Sequence, residues 1–312
     1  MFDIVRYSPE RKSEWNTFVR SSKNGTFLIE REYMDYHSDR FTDFSLMFYR
    51  GGQLFALLPA DVSCGVLRSH GGLTYGGLIT GTGATAAAVV ALFGELNAYM
   101  RECGISRIVY KAIPWIYHRV PSEEDLYAIF RVCNARIAAR DISSTIAGQA
   151  RIKWSRDRRY GINRVKNNGI TVRQSDDYRA FWQVLDGNLG AKYGVRPVHT
   201  VDEMLLLKSR FPRNICLYTA VRDGVTLGGT VLYLTPQTVH AQYISASAEG
   251  KHLRVIDGIY DQILNRDFAD CAFFDFGKST EDGGIILNES LIYQKEGFGG
   301  RAVCYDTYEW QP

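Results

Sequence analysis

Residues 215–234 read ICLYTAVRDGVTLGGTVLYL, two runs of strand-forming residues joined by Asp223-Gly224. An Asp-Gly pair between such runs predicts a β-hairpin, because a two-residue turn of the right twist needs left-handed backbone at both positions. A further strand follows, TVHAQYIS at 238–245, and then a polar loop, ASAEGK at 246–251. Next comes a helix with Leu253, Ile256, Tyr260, Ile263 and Leu264 on one face, and a strand CAFFDFG at 271–277.

The first half repeats this order. SLMFYR (45–50) and LFALLPA (54–60) flank Gly51-Gly52, and a strand near Leu67 leads into a Gly-rich stretch. A helix with Thr85, Val89, Leu92, Phe93, Leu96, Tyr99 and Met100 on one stripe comes next, and then the strand Ser106–Ala112. Hairpin, strand, loop, helix, strand in both halves predicts an α/β (α+β) fold made of a duplicated unit.

The division falls at a change of charge. Residues 151–169, RIKWSRDRRYGINRVKNNG, carry seven basic residues against one acid, Asp157. The expected domains are therefore 1–150 and 151–312. Within that stretch Trp154, Arg158, Ile162 and Val165 share one helix face, so Arg158 lies in an apolar stripe. There it meets either a structural carboxylate or an anionic substrate group. Further along, Thr200-Val201-Asp202-Glu203 is a capping box that starts a helix, which Phe211-Pro212 ends.

The composition is that of a globular protein. The chain has 312 residues, 46% of them hydrophobic and 13% aromatic, with a formal net charge of +3. This excludes a generally basic nucleic-acid binder and leaves room for a local basic patch. The six cysteines are scattered, without a C-x-x-C pair, which predicts buried residues of a reducing compartment rather than a zinc ribbon. The N-terminus has charges where a signal peptide needs an apolar run, and the longest apolar stretch, Ala84 to Phe93, is too short to span a bilayer. The expected location is cytoplasmic, without membrane insertion.

Two short motifs are misleading. Gly81-Thr82-Gly83-Ala84-Thr85-Ala86 fits a dinucleotide fingerprint, but the next strand ends in Lys111-Ala112 where a ribose-binding acid belongs. Asp275-Phe276-Gly277 matches the kinase tripeptide with no other kinase element present. In that strand Asp275 is expected to end a buried run with its carboxylate turned into a cleft. His199, His240 and His252 are too scattered to predict a metal site, so no metal is expected. Lys295 lies between Tyr293 and Phe298, and a partly buried lysine there calls for an anion.

RRYGINRVKNNGITV (158–172) resembles the R-R-x-I-x-x-A-x-x-x-G-V-x-V segment of the Fem-type transferases. DFGKS (275–279) with LNESLIYQKEGFGG (287–300) resembles their D-F-G-x-S and K-x-x-F-G ending. His199-Thr200, Glu203, Leu207, Phe211-Pro212 and Gln242–Ser247 are similar to a GNAT-related branch of that superfamily. The resemblance covers about residues 150–312. It implies two tandem GNAT-like units, each a mixed, mostly antiparallel sheet flanked by helices, with the donor site in the second.

The implied activity is N-acyl transfer from acetyl-CoA or another acyl-CoA to an amine of a cell-envelope precursor, an amino sugar or a peptide. Aminoacyl-tRNA is the alternative donor, and a non-catalytic sugar- or nucleotide-binding protein is the third reading. By resemblance Lys295 stabilises the oxyanion, with Gln294 in place of the usual Phe, and Asp275 or a water it orders accepts a proton. Gln242, Tyr243, Ser247, Gly250, Lys251 and Arg254 are expected at the donor. Arg158, Tyr193, His199, Ser279 and Asn288 are expected at the acceptor. Ser247-Ala248-Glu249-Gly250 stands where GNAT enzymes carry Q-x-x-G-x-G/A, which keeps both donors open.

Overall fold

The computed structural model describes residues 1–194 and 196–312, and the side chains of all of these but 191–193. The strands are β1 (Asp3–Arg6), β2 (Leu46–Arg50), β3 (Gln53–Leu58), β4 (Asp61–Ser63), β5 (Val66–Arg68), β6 (Ile79–Thr80), β7 (Arg107–Lys111), β8 (Arg136–Ala147), β9 (Thr171–Ser175), β10 (Ile215–Arg222), β11 (Val225–Leu234), β12 (Thr238–Ala246), β13 (Phe273–Lys278), β14 (Thr280–Glu281), β15 (Ile286–Leu287) and β16 (Arg301–Trp310). The helices are α1 (Lys12–Ser21), α2 (Arg31–Met34), α3 (Ala86–Glu102), α4 (Glu124–Cys133), α5 (Arg156–Asn167), α6 (Tyr178–Tyr193), α7 (Val201–Arg210), α8 (Ala248–His252), α9 (Val255–Gln262) and α10 (Glu289–Gly297).

The chain forms two compact units. The first holds Met1–Ile142, Thr280–Leu287 and Cys304–Pro312, and the second holds Ser143–Ser279 and Asn288–Val303. The division thus falls inside β8, ahead of residue 150 where the charge change placed it. The last residues of the chain return to the first unit.

Both units use the same local devices. Gly51 and Gly52 have φ of 57° and 76°, and Asp223 and Gly224 have φ of 50° and 79°. These are the left-handed pairs that close a two-residue hairpin, here β2–β3 and β10–β11. In the first unit β5 pairs parallel with β7, and β7 antiparallel with β16. In the second β12 pairs parallel with β13, and β13 antiparallel with β8. Each parallel step is made by a helical crossover, α3 in the first unit and α8–α9 in the second. The fold is the expected α/β class of tandem units with mostly antiparallel sheets.

The first core packs α3 (Val89, Leu92, Phe93, Leu96) against Phe48, Ile108 and Trp310. Thr85 belongs to that helix as its N-cap, accepting from the Ala88 amide, rather than as part of the apolar stripe. In the second core Val239, Ala241, Phe274 and Phe276 face α9, whose Tyr260 ring meets Phe274 and Phe276 at 5.7 and 5.0 Å. Strand alternation therefore turns His240 and Asp275 to the opposite face of the same sheet.

Helices α5 and α9 approach closely. A side chain at Gly161 would come 1.8 Å from Asp257 Oδ2, and one at Gly258 would come 2.7 Å from Val165. Helix α7 starts at the Thr200–Glu203 capping box, as its sequence predicts. The cysteines need a correction. Cys133 and Cys216 are buried, but Cys64, Cys103 and Cys304 are exposed. Core packing explains the buried pair and the half-buried Cys271, which packs against the second core.

Candidate active site

Strands β12 and β13 pair at three positions, the last of them His240 with Asp275. Beyond it β12 stays with β11 and β13 with β8. The register on β11 skips Gln242, so Gln242 is the extra residue of a β-bulge and leaves the ladder. Its side-chain oxygen is buried without a partner among the described residues.

Lys295 closes this end of β13. It sits near the end of α10, is 4% exposed, and packs into the turn that ends in Phe298. Its ammonium donates to the carbonyls of Gly277 (2.8 Å) and Lys278 (2.7 Å) and to the Ser279 hydroxyl (2.9 Å). Burial pushes its pKa down from 10.5 to about 8, while the nearby Asp275 carboxylate pulls the other way. Ser279 and Asn288, both expected at the acceptor, instead shape this corner. Ser279 accepts from Lys295, and Asn288 caps α10 by accepting from the Leu291 amide at 3.1 Å.

Asp275 is fully buried, and not turned into an open cleft. Its Oδ1 accepts from the hydroxyls of Ser143 and Thr145, the latter at 2.9 Å, and its Oδ2 meets His240 Nδ1 at 2.8 Å. A carboxylate so filled holds other groups in place and is not placed to take a substrate proton.

Four of the residues expected at the donor, Ser247, Gly250, Lys251 and Arg254, line two cavities, and Gln242 and Tyr243 line neither. One, about 310 Å³, is lined by Arg158, Gly250, Lys251, Arg254 and, from α10, Ser290, Tyr293 and Gln294, the neighbour of Lys295. The other, about 440 Å³, brings Ser247 and Lys251 to Gly187 and Asn188 of α6. The expected helix N-terminus differs from the sequence reading. Ser247 caps only the five-residue α8, with its hydroxyl taken by the Gly250 amide at 3.0 Å. The longer α9 begins after Arg254, which has a left-handed φ of 65°.

Arg158 meets the structural carboxylate, not an open anion site. Its Nη1 bonds Asp257 at 2.7 Å and its Nη2 bonds Asp157 at 3.0 Å. Arg254 holds the same two acids, at 2.7 Å and 2.8 Å. Burial raises the Asp257 carboxyl and the two guanidiniums oppose it, whereas Arg254 holds Asp157 below the usual carboxylate range. His199 and Tyr243 form a separate pair, Nδ1 to hydroxyl at 2.5 Å beside Trp182, and burial pushes the Tyr243 phenol up to about 12. Tyr193 lies outside the residues whose side chains are described.

A third cavity, about 610 Å³, runs along α5 and is lined by Arg151, Lys153, Trp154, Arg159, Asn163 and Lys166, with Asp261 and Asn265 opposite. Lys166 lies 3.5 Å from Asp261 and Arg151 binds two carbonyls. Lys153 and Arg159 pair with no carboxylate among the described residues. The groove joins the Lys295 corner through Trp154, whose ring meets Phe298 at 5.1 Å, and through the Ser155 amide on the Gly297 carbonyl. Sequence reading missed Asp257, Ser143 and Thr145. It treated His240 as an isolated histidine, because the strand register that pairs it with Asp275 is set by tertiary structure.

Two units of this topology make the fold also seen in solved structures of a Fem-type protein and of a tandem GNAT protein. Among solved structures, FemX matches with a TM-score of 0.69 at 11% identity, covering 99% of this chain and 97% of FemX. The L-PGS of Bacillus licheniformis matches with a TM-score of 0.62 at 12% identity, over 98% of this chain and 92% of that one. A tandem GNAT protein from the clavulanic acid biosynthesis pathway matches with a TM-score of 0.54 at 11% identity, over 100% and 98%. No family model matches the sequence, and no curated protein sequence matches it. Among the described residues no helix is long and apolar enough to cross a membrane, and no group of three or more His, Cys, Asp or Glu is placed to hold a metal ion.

Proposed function

We propose that the second unit moves an aminoacyl group from the ester of a charged tRNA to an amine, as the Fem-type resemblance implies, with a cell-envelope precursor as the acceptor. The observation that carries the choice of donor is the contrast between two cavities. In the smaller one, Arg158 and Arg254 are neutralised by Asp157 and Asp257 and Lys251 donates to Asn188, while in the neighbouring cavity the Ser247 hydroxyl is spent on its own helix. A CoA pyrophosphate there would compete with two carboxylates for each guanidinium. The groove along α5 offers Lys153 and Arg159 uncompensated, which suits a phosphate backbone.

In this reading the amine nitrogen bonds to the ester carbonyl carbon, and the carbonyl oxygen takes up negative charge. Lys295, its three N–H groups held by Gly277, Lys278 and Ser279, acts on that charge as a buried cation through a medium of low dielectric, where its field is worth far more than in water. The ester C–O bond then breaks and the 3′-oxygen of the tRNA leaves. A tRNA donor puts the reaction in the cytoplasm.

Binding tests the donor. The protein should bind tRNA with an affinity that falls steeply with salt. Lys153→Ala with Arg159→Ala should weaken binding and lower the salt slope by roughly two. Acetyl-CoA and free CoA should leave the melting temperature unchanged. A saturable CoA shift with no tRNA binding would replace this donor by an acyl-CoA.

A further inference from the structure

We infer that the groove along α5 holds the unpaired 3′ end of the donor RNA, with a nucleobase stacked on Trp154. The inference rests on the tRNA reading above and adds which part of the RNA the groove takes.

Trp154 is only half-buried. It packs on the second core, where its ring meets Phe298 at 5.1 Å and close to a right angle. It also lines the 610 Å³ cavity. The buried indoles of Trp15, Trp182 and Trp310 each donate their N–H to a protein oxygen. The Trp154 N–H has no partner among the described residues.

Other groups around the same cavity are uncommitted too. The side chains of Lys153, Arg159 and Asn163 bond to nothing among the described residues. Arg159 and Asn163 are four residues apart on α5 and so share a face. In the 310 Å³ cavity, by contrast, the guanidiniums are already bonded to Asp157 and Asp257.

Two cations, an amide and an indole are the chemistry that recognises a nucleotide. Phosphate suits the cations, the face of a base suits the indole, and the edge of a base suits the amide. Paired RNA could use only the cations, because its bases are stacked inside the helix. Trp154 and Asn163 therefore fit an unpaired end, and in a charged tRNA that end carries the ester. Position agrees with this. Ser155, next to Trp154, donates its amide to the Gly297 carbonyl at 2.8 Å, two residues beyond Lys295. A base held on Trp154 brings the esterified end of the RNA to the Lys295 corner.

The test is binding of three uncharged RNAs at one salt concentration, with melting temperature as the control for folding. The RNAs are a stem-loop with an unpaired 3′ tail, the same stem-loop with abasic tail nucleotides, and the blunt stem-loop. The wild type should bind the intact tail roughly 10-fold or more tighter than the abasic one. Trp154→Leu should lose that difference and bind the blunt RNA like the wild type, and Trp154→Phe should keep most of it. Equal binding of intact and abasic tails by the wild type would overturn the proposal, as would a folded Trp154→Leu that still prefers the intact tail. If Trp154→Leu does not fold, an ultraviolet crosslink from a tail base decides, because one mapped outside residues 151–166 contradicts the proposal. Adenosine monophosphate competing as strongly as the tailed RNA would make the groove a free-nucleotide site and overturn it too. RNA binding that ignores the tail removes this inference alone. No RNA binding removes the tRNA reading beneath it.

Discussion

The ammonium of Lys295 donates to the carbonyl of Gly277 at 2.8 Å, eighteen residues away in sequence, and this bond anchors α10 to the end of β13. The bond fixes a cation inside the protein at the point where two parallel strands part. The proposed chemistry depends on that cation keeping its charge.

Its charge makes activity and stability move in opposite directions with pH. The folded pKa is about 8 against an ordinary 10.5. Between these values the unfolded chain binds the extra proton, so Lys295 contributes rising stability as pH climbs from about 8 to about 10.5. Over the same window the folded protein loses the cation, and transfer should fade above pH 8. Lys295→Met should lose roughly 100-fold or more in kcat and lack this alkaline gain in urea midpoint. A Lys295→Met protein with wild-type turnover would contradict the role.

The two acids beside Arg158 and Arg254 should differ sharply in their effect on stability. Asp257 is buried between both guanidiniums, while Asp157 is half-exposed. Asp257→Ala leaves the buried Arg158 with only the half-exposed Asp157 and should cost about 3–5 kcal/mol. Asp157→Ala should cost about 1 kcal/mol or less, because solvent screens what remains. Urea denaturation of both variants reads the difference directly.

The crossing of α5 and α9 gives a paired prediction from two glycines. Gly161→Ala would drive its methyl into the Asp257 carboxylate and should destabilise by about 1–3 kcal/mol. At Gly187, inside α6, an added methyl would have nothing within 4 Å, so Gly187→Ala should stabilise by about 0.5–1 kcal/mol. Thermal melts of opposite sign are the expected result.

Acid should weaken the first unit through its buried histidines. Burial lowers the His70 pKa from 6.5 to about 4, more than nearby Asp61 raises it, and His118 is lowered alike. Below pH 6.5 the unfolded imidazole protonates and the folded one does not, so stability falls as pH drops toward 4. His70→Asn keeps a residue that tolerates the φ of 54° at this position. It should reduce the stability lost between pH 7 and pH 5 by about 2 kcal/mol.

Local chemistry was readable in the sequence, and distant pairing was not. Asp223-Gly224, Gly51-Gly52 and the Thr200 box each encode their geometry within four residues, and each forms as written. The face shared by Arg158, Ile162 and Val165 was equally plain, because helical period alone defines it. What fills that face was hidden. Asp257 is 99 residues from Arg158, and Thr145 is 130 residues from Asp275. Periodicity says which side chains share a side, and only tertiary register says what they meet. His240 was passed over for that reason, and the buried Lys295 was found because an apolar setting is visible in sequence. Arg158 was left between a structural carboxylate and a substrate anion, Arg254 was expected at the donor, and Asp157 with the unseen Asp257 occupies both.

The most direct measurement is transfer of a labelled amino acid from charged tRNA to an amine acceptor, run beside labelled acetyl-CoA under the same conditions. The expected result is amide formation from the tRNA ester, abolished by Lys295→Met and absent with acetyl-CoA. Amide formation from acetyl-CoA alone, or from neither donor across a panel of amines, would contradict aminoacyl transfer by the second unit.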